Sequence, residues 1–431
     1  MLYSANAPYE FITADSREVT ENTAFVVDWY SQRFIDDAKR RGAKGILCAA
    51  DLKAHFDVDL PIVGVTGTNG KTTTAALIYS ILLDLGYKAA MQGTRGFFVN
   101  GRKRGEKHLT TPMLLDNYAR IDQAKKEGCD FFITEVSSHA IAQKRLEAID
   151  FALKVHTNIT GDHLDFHGSF ENYRGVKNSF FVDGALKLVN KDDPNVRFNI
   201  QNARTYAIGQ SATFTLEAYS KHGAVSGAIA FAEERGVFHS ALIGYFNLYN
   251  ILAAAAAVKL LTNRPLKEIC GCIENFGGVK GRMQIVSEKP LIIVDFAHTA
   301  DGIRQALSAL ASNNLVVVFG AGGDRDRSKR PQMGREAARY ASRIFLTSDN
   351  PRSEEPLAII NDIAAGCGDH DDLHIEPDRK KAIGKAIASL NNDEILIILG
   401  KGDETTQQIG DILYPFSDEE CVLELLKDRV C

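Results

Sequence analysis

The stretch that decides the fold is Ile62-Val-Gly-Val-Thr-Gly-Thr-Asn-Gly-Lys-Thr-Thr-Thr-Ala-Ala-Leu-Ile78. Its β-branched start predicts a strand, which ends in a glycine-rich turn before Lys71 and Thr72. Apolar residues at helical spacing then predict an amphipathic helix that ends near Gly86. This order of elements cradles a nucleotide polyphosphate, because the N-terminus of the helix offers unpaired N–H groups. We therefore predict an ATP site, with Lys71 at the β and γ phosphates and Thr72 near a metal ion.

The spacing in this loop departs from the common G-x-x-x-x-G-K pattern, since Val65 stands five positions before Gly70. The simpler reading is a glycine turn between a strand and a helix, with a solvated lysine. Lys-Thr-Thr opening an apolar helix directly after a glycine makes the phosphate-binding interpretation the favoured one.

The composition indicates a folded protein of more than one domain. The chain has 431 residues, of which 45% are hydrophobic and 24% are charged. Its net charge of −5 gives no electrostatic reason to expect nucleic acid or an anionic membrane as a partner. No apolar run approaches the roughly 20 residues that a membrane helix needs. The first residues lack the basic and apolar regions of a secretion signal, so we expect a cytoplasmic protein.

The cysteines are scattered and odd in number, which argues against a disulfide framework. Cys270 and Cys272 are close-set, but without a second Cys or His pair they are poor zinc ligands. We expect reduced thiols at all seven positions: Cys48, Cys129, Cys270, Cys272, Cys367, Cys421 and Cys431.

The order of predicted elements indicates an α/β fold of three domains. Strands alternate with helices from residue 61 onward, which is typical of a parallel sheet with crossover helices. A glycine-rich break at residues 277–282 predicts a hinge, and a second α/β series follows it. We predict a small N-terminal α/β domain (1–58), a central phosphate-loop ATPase domain (59–280) and a C-terminal Rossmann-like domain (281–431). Helices are predicted over residues 31–41 and 251–262, with a β-rich excursion at 212–243.

Polar residues follow the predicted strands of the central domain, where ligands of open α/β sheets bind. Glu135 ends an apolar strand, and it either holds Mg²⁺ or is a solvated strand end. His163 and His167 are spaced as metal ligands of a helix, but the neighbouring glycines favour a loop, so zinc is the weaker reading. Lys177, taken by itself, reads as an ordinary surface lysine.

Two polar segments follow strands of the C-terminal domain. Asp349-Asn-Pro-Arg352 is either a plain Asx-Pro turn or a turn that presents an arginine fork to a carboxylate. Residues 322–330 carry four basic side chains beside two glycines, which modestly favours an anion-binding loop over a solvated one.

Taken together, these stretches resemble the Mur ligase family, the ATP-dependent amide ligases of peptidoglycan precursor synthesis. The resemblance covers nearly the whole chain. It includes the unusual spacing of the phosphate loop, which matches the family's own variant. The matching segments, in order, are residues 66–73, 110–112, 135–139, 157–168, 244–250, 281–284, 294–298 and 322–327.

Within the family, the chain is most similar to the ligase that adds a diamino acid to UDP-N-acetylmuramoyl-L-alanyl-D-glutamate. Asp349-Asn-Pro-Arg352 matches the motif associated with meso-diaminopimelate rather than lysine. The second amino-acid head of diaminopimelate carries a carboxylate that an arginine fork can grip, whereas Arg352 would repel the bare ammonium of lysine.

The resemblance implies a role for residues in each domain. The ATP-binding set is Gly67, Thr68, Asn69, Gly70, Lys71, Thr72, Thr73, Asn247, Asn250, Arg282, Asp295 and His298. The Mg²⁺ set is Thr72, Glu135, His163 and Lys177, the last as an N-carboxylated lysine. The UDP-sugar-peptide set is Ser16, Thr110, Thr111, Ser137, Gln143 and Arg145. The diaminopimelate set is Arg325, Asp349, Asn350, Pro351, Arg352, Gly400 and Glu404. Lys71, Lys177, His163 and Arg282 would be the catalytic residues.

The implied reaction uses ATP and Mg²⁺ to form an acyl-phosphate on D-glutamate, which the amine of the diamino acid then attacks. Domain closure at the glycine-rich break would assemble the site. The resemblance implies small-molecule substrates, no nucleic acid, no membrane insertion, and a monomer in the cytoplasm.

Three departures from the family pattern leave details open. Asp403 stands where the family has histidine, Ala300 replaces a proline, and the first domain is too short to carry the family's uridine-binding loop. Use of L-lysine, a folylpolyglutamate-type or cyanophycin-type ligase, and a non-catalytic nucleotide-sugar binder remain as alternatives.

Overall fold

The structure, a computed structural model, describes residues 1–106, 109–220, 223–311 and 314–428. Its strands form an N-terminal sheet, a large central sheet, a C-terminal sheet and a separate hairpin. The predicted three-part α/β architecture is confirmed.

The N-terminal unit is a four-stranded sheet in the order β1-β2-β3-β4. Its elements are β1 (Tyr3–Ser4), β2 (Phe11–Thr13), β3 (Thr23–Val26), α1 (Ile35–Arg40) and β4 (Gly45–Leu47). The helix predicted over residues 31–41 is divided, since a 3₁₀ turn at Ser31–Phe34 precedes α1.

This small sheet does not make its core alone. Ile12 and Val26 pack in one buried cluster with Phe97 and Tyr118 of the central unit. A sheet of four short strands has too little apolar surface to be stable by itself, so the N-terminal unit depends on this contact.

The central unit is an 11-stranded sheet in the order β15-β14-β13-β12-β11-β10-β5-β9-β6-β7-β8. Its strands are β5 (Ile62–Thr66), β6 (Ala89–Gly93), β7 (Gly96–Val99), β8 (Arg102–Gly105), β9 (Phe131–Val136), β10 (Leu153–His156), β11 (Lys187–Asn190), β12 (Ala203–Ala207), β13 (Phe214–Tyr219), β14 (Ala224–Phe231) and β15 (Glu234–Ile243). Its helices are α2 (Lys71–Asp84), α3 (Leu114–Lys126), α4 (Ser138–Ala142), α5 (Leu164–His167), α6 (Phe170–Ser179), α7 (Tyr245–Thr262) and α8 (Leu266–Cys272).

The strand and loop predicted from the opening stretch occupy the middle of this sheet. β5 pairs in parallel with β9 on one side and with β10 on the other, so the loop after Thr66 lies between two other strand ends. The helix that follows, α2, was predicted to be amphipathic. That prediction is wrong, because residues on all sides of α2 are buried. The helix lies between the sheet and the alanine-rich α7, in the core of the central unit.

The β-rich excursion at residues 212–243 extends the same sheet. β13, β14 and β15 pair antiparallel and continue the parallel part through β12. The helix predicted over 251–262 begins earlier, at Tyr245, because Gly244 with a φ of +100° turns the chain directly from β15 into α7.

The C-terminal unit is a six-stranded sheet in the order β16-β17-β21-β18-β19-β20, parallel except for β16. Its strands are β16 (Gln284–Glu288), β17 (Leu291–Asp295), β18 (Asn314–Phe319), β19 (Arg343–Leu346), β20 (Leu373–Ile375) and β21 (Glu394–Leu399), and β22 (Thr406–Ile409) and β23 (Ile412–Pro415) form a hairpin. Its helices are α9 (Ala300–Ser308), α10 (Lys329–Tyr340), α11 (Pro356–Cys367), α12 (Arg379–Ser389) and α13 (Asp418–Lys427). Apolar clusters cover both faces of this sheet, as a mainly parallel sheet requires.

Six cysteines in the described part of the chain are free thiols, as expected, and Cys431 lies outside the described residues. None of the described helices is both long enough and apolar enough to cross a membrane.

Candidate active site

The loop between β5 and α2 holds a half-buried lysine over its own backbone. The Nζ of Lys71 donates to the carbonyl oxygens of Gly67 and Thr68, each at 2.9 Å. Burial lowers the pKa of this lysine. Gly70 has a φ of +83°, and a Cβ there would lie 2.3 Å from Oδ1 of Asn250. The position therefore needs glycine on both conformational and steric grounds.

Glu135 faces this loop from the neighbouring strand. The register of the parallel pair sets Glu135 beside Val65, just before the loop. Oε2 of Glu135 accepts a hydrogen bond from Oγ1 of Thr72 at 2.8 Å, and Oε1 accepts one from the backbone N–H of Thr94 at 2.7 Å. Glu135 is 2% exposed, so the alternative of a solvated strand end is wrong.

Lys177 lies under the same loop. It is 1% exposed, and its Nζ donates to the carbonyl oxygen of Gly67 at 2.7 Å. The surface-lysine reading is therefore wrong. Burial and the nearby charge of Lys71 hold the pKa of Lys177 well below its ordinary value. Burial of this kind favours the neutral form of the amine, which is the nucleophilic form.

His167 ends a one-turn helix, α5, and His163 directly precedes it, where the sequence predicts a loop. His163 is the residue before α5 and has a left-handed φ of +52°, and its Nε2 lies 3.3 Å from Oδ2 of Asp162. His167 instead meets the hydroxyl of Ser138, at 3.0 Å. The two imidazoles thus engage different partners, which speaks against a shared zinc ion. Burial lowers the pKa of His163 to about 4, so its ring is neutral and able to bind a metal.

The donor atoms at the loop fit Mg²⁺ better than a transition metal. Thr72 and Glu135 offer a hydroxyl and a carboxylate at hydrogen-bonding distance of each other. Across the residues that the structure describes, no group of three or more His, Cys, Asp or Glu side chains is arranged to hold a metal. Mg²⁺ usually takes one or two protein oxygens and completes its shell with phosphates and water, which is the arrangement that these residues allow. The contacts do not join His163 to the Thr72–Glu135 pair.

A cavity of about 700 Å³ opens beside the loop, between the central and C-terminal units. Its volume lies within the range of small-molecule sites. Its lining includes eight residues of the predicted ATP set: Asn69, Gly70, Thr73, Asn247, Asn250, Arg282, Asp295 and His298. The structure therefore brings together residues that are as many as 229 positions apart in the sequence, from Asn69 to His298.

Several of the lining side chains are held in place by their neighbours. Nδ2 of Asn250 donates to Oδ1 of Asn247 at 2.9 Å. The guanidinium of Arg282 lies 4.3 Å from the ring centre of Phe296, a cation–π contact. The carboxylate of Asp295 accepts hydrogen bonds from two backbone N–H groups, although burial still raises the pKa of Asp295.

One contact across the cavity was missed by the sequence argument. Oδ2 of Asp301 accepts a hydrogen bond from Nδ2 of Asn69 at 2.9 Å and lies 3.3 Å from Oγ1 of Thr160. Asp301 belongs to the C-terminal unit, and the other two residues belong to the central unit. The only sequence signal near Asp301 is the neighbouring Ala300, which departs from the family pattern. The contact ties the phosphate loop directly to the other wall of the cavity.

Four residues of the predicted sugar-peptide set form a network next to Glu135. Oγ1 of Thr111 accepts from the backbone N–H of Ser137 at 2.9 Å, and the carbonyl oxygen of Thr111 accepts from Arg145 at 2.8 Å. Nε of Arg145 also donates to Oε1 of Gln143 at 2.9 Å. Thr110 lies beside this network, with its hydroxyl 3.3 Å from that of Thr94.

Ser16 is the one member of that set in the N-terminal unit. It is buried, and its hydroxyl lowers the pKa of the half-buried Asp37 by hydrogen bonding. The contacts do not link Ser16 to the other five. The N-terminal unit approaches them instead through Asp28. Burial lowers the pKa of Arg145, and the negative charge of Asp28 acts in the opposite direction.

The residues predicted for diaminopimelate meet at the strand ends of the C-terminal unit. Nδ2 of Asn350 donates to Oε2 of Glu404 at 2.9 Å. Arg352 has a left-handed φ of +51°, and its Nη1 donates to the carbonyl oxygen of Gly323 at 2.6 Å. Gly400 has a φ of +114°, and a Cβ there would lie 3.0 Å from Oδ2 of Asp349. Pro351 precedes Arg352 in this turn and is buried.

Arg325 connects this site to the phosphate-loop side of the molecule. Burial has the largest effect in lowering the pKa of Arg352, and the nearby charge of Arg325 lowers this pKa further. Nη1 of Arg325 is 4.0 Å from Oδ2 of Asp165, two residues after His163 in the central unit. Arg325 therefore brings the predicted amino-acid site against the segment that follows His163 in the central unit.

Two further features of this site were absent from the sequence argument. Lys401 is completely buried beside Asn350 and Glu404. The β22–β23 hairpin supports the turn at 349–352, since the backbone N–H of Gln408 donates to Oδ1 of Asn350 at 2.9 Å. The flanking glycines and the resemblance of Gly400 and Glu404 were the only sequence signals near Lys401.

The fold and this site define a class of protein: a multidomain α/β protein of the phosphate-loop type, with a nucleotide-sized cavity between two sheets. The comparisons with known proteins refine that class. The Mur ligase middle domain family matches residues 65–258, and the family described as "Mur ligase, glutamate ligase domain" matches residues 281–402. The chain belongs to the Mur ligase family.

Individual relatives cover the chain almost completely. A protein of Wolinella succinogenes named UDP-N-acetylmuramoyl-L-alanyl-D-glutamate–2,6-diaminopimelate ligase is 53% identical over 425 residues, which cover 99% of this chain and 98% of the relative. A solved structure of a ligase of that name is 28% identical, covers 100% of this chain and 98% of its own, and superposes with a TM-score of 0.67. A folylpolyglutamate synthase of Mycobacterium tuberculosis has the same TM-score of 0.67 at 15% identity, covering 82% of this chain and 91% of its own. At that identity the likeness shows the fold alone.

Proposed function

We propose that this protein is an ADP-forming ligase that adds meso-2,6-diaminopimelate to the D-glutamate of UDP-N-acetylmuramoyl-L-alanyl-D-glutamate. The observation that carries the proposal is the contact between Arg325 and Asp165, because it links the predicted amino-acid site to the segment of the central unit that carries His163. A ligase must bring an activated acid and an amine together, and this contact joins the two units that are proposed to hold them. The name of the Wolinella succinogenes relative, which matches nearly the full chain, supports the same reaction.

The nucleotide would lie in the cavity between the central and C-terminal units. Lys71 and the N–H groups at the start of α2 would receive the phosphates, with Asn250 packed against the loop. Arg282, Asp295 and His298 would hold the nucleoside from the opposite wall. Thr72, Glu135 and His163 would hold Mg²⁺, which would supply positive charge for the phosphates during transfer.

Lys177 would act as a carboxylated lysine. Its neutral amine would attack carbon dioxide and lose one proton, which gives a carbamate anion in place of a cation. That anion would lie beside Lys71 and the carbonyl oxygen of Gly67. The proposal rests on the burial of Lys177 and on its depressed pKa.

The reaction would run in two balanced steps. The γ-carboxylate of D-glutamate attacks the terminal phosphorus of ATP, and ADP leaves, so an acyl-phosphate forms. The neutral amine of diaminopimelate then attacks the acyl carbon, inorganic phosphate leaves, and the amine loses a proton. Lys71 and Arg282 would stabilise the charge on the transferring group, and the site's geometry would align the reactants.

The acid substrate would be held by the network of Thr111, Ser137, Gln143 and Arg145, with Thr110 and Ser16 at its edges. The amino acid would be held by the turn at 349–352, Arg325, Gly400 and Glu404.

We also propose domains at 1–58, 59–280 and 281–431, and a monomer that works in the cytoplasm. Analytical ultracentrifugation tests the monomer, and limited proteolysis tests the boundaries.

The test of this function is the release of ADP by the purified protein when each substrate is left out in turn. We expect ADP only when the UDP-linked dipeptide, diaminopimelate, ATP and Mg²⁺ are all present, together with an amide product in the mass spectrum. Nucleotide-sugar binding without ADP release would instead favour a non-catalytic binder. Turnover with a folate and glutamate would favour the folylpolyglutamate-type alternative.

A further inference from the structure

Lys401 is a completely buried lysine at the end of β21, directly after Gly400. Its Nζ lies 3.1 Å from Oε2 of Glu404, 3.2 Å from Oδ1 of Asn350 and 3.5 Å from Oδ1 of Asp349. All three partners belong to the proposed amino-acid site, whereas Lys401 itself has been given no role. A buried ammonium needs such partners, because its removal from water is costly.

We propose that Lys401 is a positioning residue that makes this site prefer a diamino acid with a second carboxylate over L-lysine. The inference rests on the proposed function and adds a determinant of amino-acid choice. Lys401 acts through Asn350 and Glu404 rather than through the reacting atoms.

The geometric part of the argument concerns Asn350. Its Oδ1 accepts from Lys401 and from the backbone N–H of Gln408, so the side-chain amide has one orientation. That orientation directs Nδ2 to Oε2 of Glu404, the same oxygen that Lys401 contacts. The two donors thereby occupy Oε2 and leave Oε1 of Glu404 to receive the ammonium of a ligand.

The electrostatic part concerns the balance of charge. Two carboxylates, Asp349 and Glu404, share the site with Lys401, Arg325 and Arg352. The far end of diaminopimelate carries one ammonium and one carboxylate and is neutral as a whole. The far end of L-lysine carries only an ammonium. Because Lys401 already neutralises one acid, the site offers less negative charge to the bare ammonium of lysine than it would without Lys401, while a neutral zwitterion is little affected.

The test compares the Lys401→Met variant with the unsubstituted protein. The measured quantities are kcat/KM for meso-diaminopimelate, kcat/KM for L-lysine, and KM for ATP. We expect the lysine-to-diaminopimelate ratio of kcat/KM to rise about tenfold, with KM for ATP unchanged. Lys380→Met is the matched control, since it removes an exposed lysine that pairs with Glu424 in the same unit. We expect the control to keep the original ratio.

A second variant separates charge from packing. Lys401→Arg retains the charge but fits poorly in a buried position, so we expect lower turnover with the original amino-acid preference. If Lys401→Met does not fold, Lys401→Gln takes its place, because its amide can still donate to Glu404. A methionine or glutamine variant that loses both amino acids equally, with an unchanged ratio, would overturn the inference. So would an arginine variant that shifts the preference toward lysine. Absence of turnover by the unsubstituted protein would overturn the proposed function, and this inference with it.

Discussion

Lysines lie at both the phosphate loop and the C-terminal amino-acid site, but in opposite surroundings. At the loop, Lys71 and Lys177 donate to backbone carbonyl oxygens, and neither forms an ion pair with any residue in the described ranges. Burial lowers the pKa of both. At the amino-acid site, Lys401 lies among Asp349, Asn350 and Glu404.

The difference teaches what each site is built to receive. A lysine without a carboxylate partner, such as Lys71, gains stabilisation when an anion arrives, which suits the phosphates of a nucleotide. Lys401 already has carboxylate partners, so it instead sets how much net charge the amino-acid site presents to a zwitterionic ligand. The following predictions test this contrast, from the largest expected effect to the smallest.

The largest effect should come from Lys71→Ala. The variant removes the positive charge proposed to meet the β and γ phosphates, so we expect kcat for ADP release to fall about 10³-fold. Lys39→Ala, at an exposed position of α1, is the control and should retain full activity. A loss of less than about tenfold would mean that Lys71 does not bear on phosphate transfer.

Lys177→Ala should reduce ligation about 10²-fold while ATP binding persists. The unsubstituted protein should also lose activity in buffer free of carbon dioxide and recover it with bicarbonate, since carboxylation of the amine is reversible. Lys187 is a matched control, because it is another fully buried lysine held by carbonyl oxygens, but away from the loop. If Lys187→Ala alone removed the bicarbonate response, the modified residue would not be Lys177.

Arg352→Ala should raise KM for diaminopimelate roughly 10-fold to 100-fold, because a charge-assisted contact to the ligand carboxylate is lost. KM for ATP should change little. Arg335→Ala, at an exposed position of α10, serves as the control. Equal rises in both KM values would remove Arg352 from the amino-acid site.

The smallest effect concerns stability at low pH. The guanidinium of Arg330, hydrogen-bonded to Glu354, holds the pKa of this carboxyl at about 2. Because the folded pKa is depressed, the stabilisation is present above pH 4.5 and is lost as the pH falls toward 2. Solvent screening limits the contribution to about 1 kcal/mol.

Thermal unfolding of a Glu354→Gln variant measures that contribution. We expect a lower Tm than the unsubstituted protein at pH 7 and convergence of the two at pH 2. Glu355→Gln, at the exposed neighbouring position, should leave the profile unchanged. A constant difference in Tm across the pH range would show that the carboxylate pairing is not responsible.

The nucleotide side of the molecule was predictable from sequence because its residues lie in one continuous motif. The strand, the turn at Gly70 and the start of α2 occur where the pattern predicts them. Glu135 then follows from topology, since neighbouring parallel strands end at the same edge of a sheet. The spacing of apolar residues in α2 could not show that this helix is buried on all sides. The α2 helix has core on every side because the alanine-rich α7 packs over it.

The remaining features depend on contacts between distant segments. The helical pattern of α6 does not reveal that Lys177 faces the underside of a loop 110 residues earlier in the chain. A lysine between Gly400 and Gly402 reads as a solvated turn until the strand ends of the C-terminal sheet surround it. The link between Asp301 and Asn69 exists only once two separate sheets face each other. The resemblance to a known family pointed to Lys177, but the roles of Lys401 and Asp301 follow only from the folded structure.

The central claim, that the C-terminal site is built for a zwitterionic side chain, is tested most directly by competition. The protein is given ATP, Mg²⁺, the UDP-linked dipeptide, and equal concentrations of meso-diaminopimelate and L-lysine, and the two amide products are measured by mass spectrometry. We predict that the diaminopimelate product dominates at early times. An excess of the lysine product would contradict the roles given to Arg352 and Lys401.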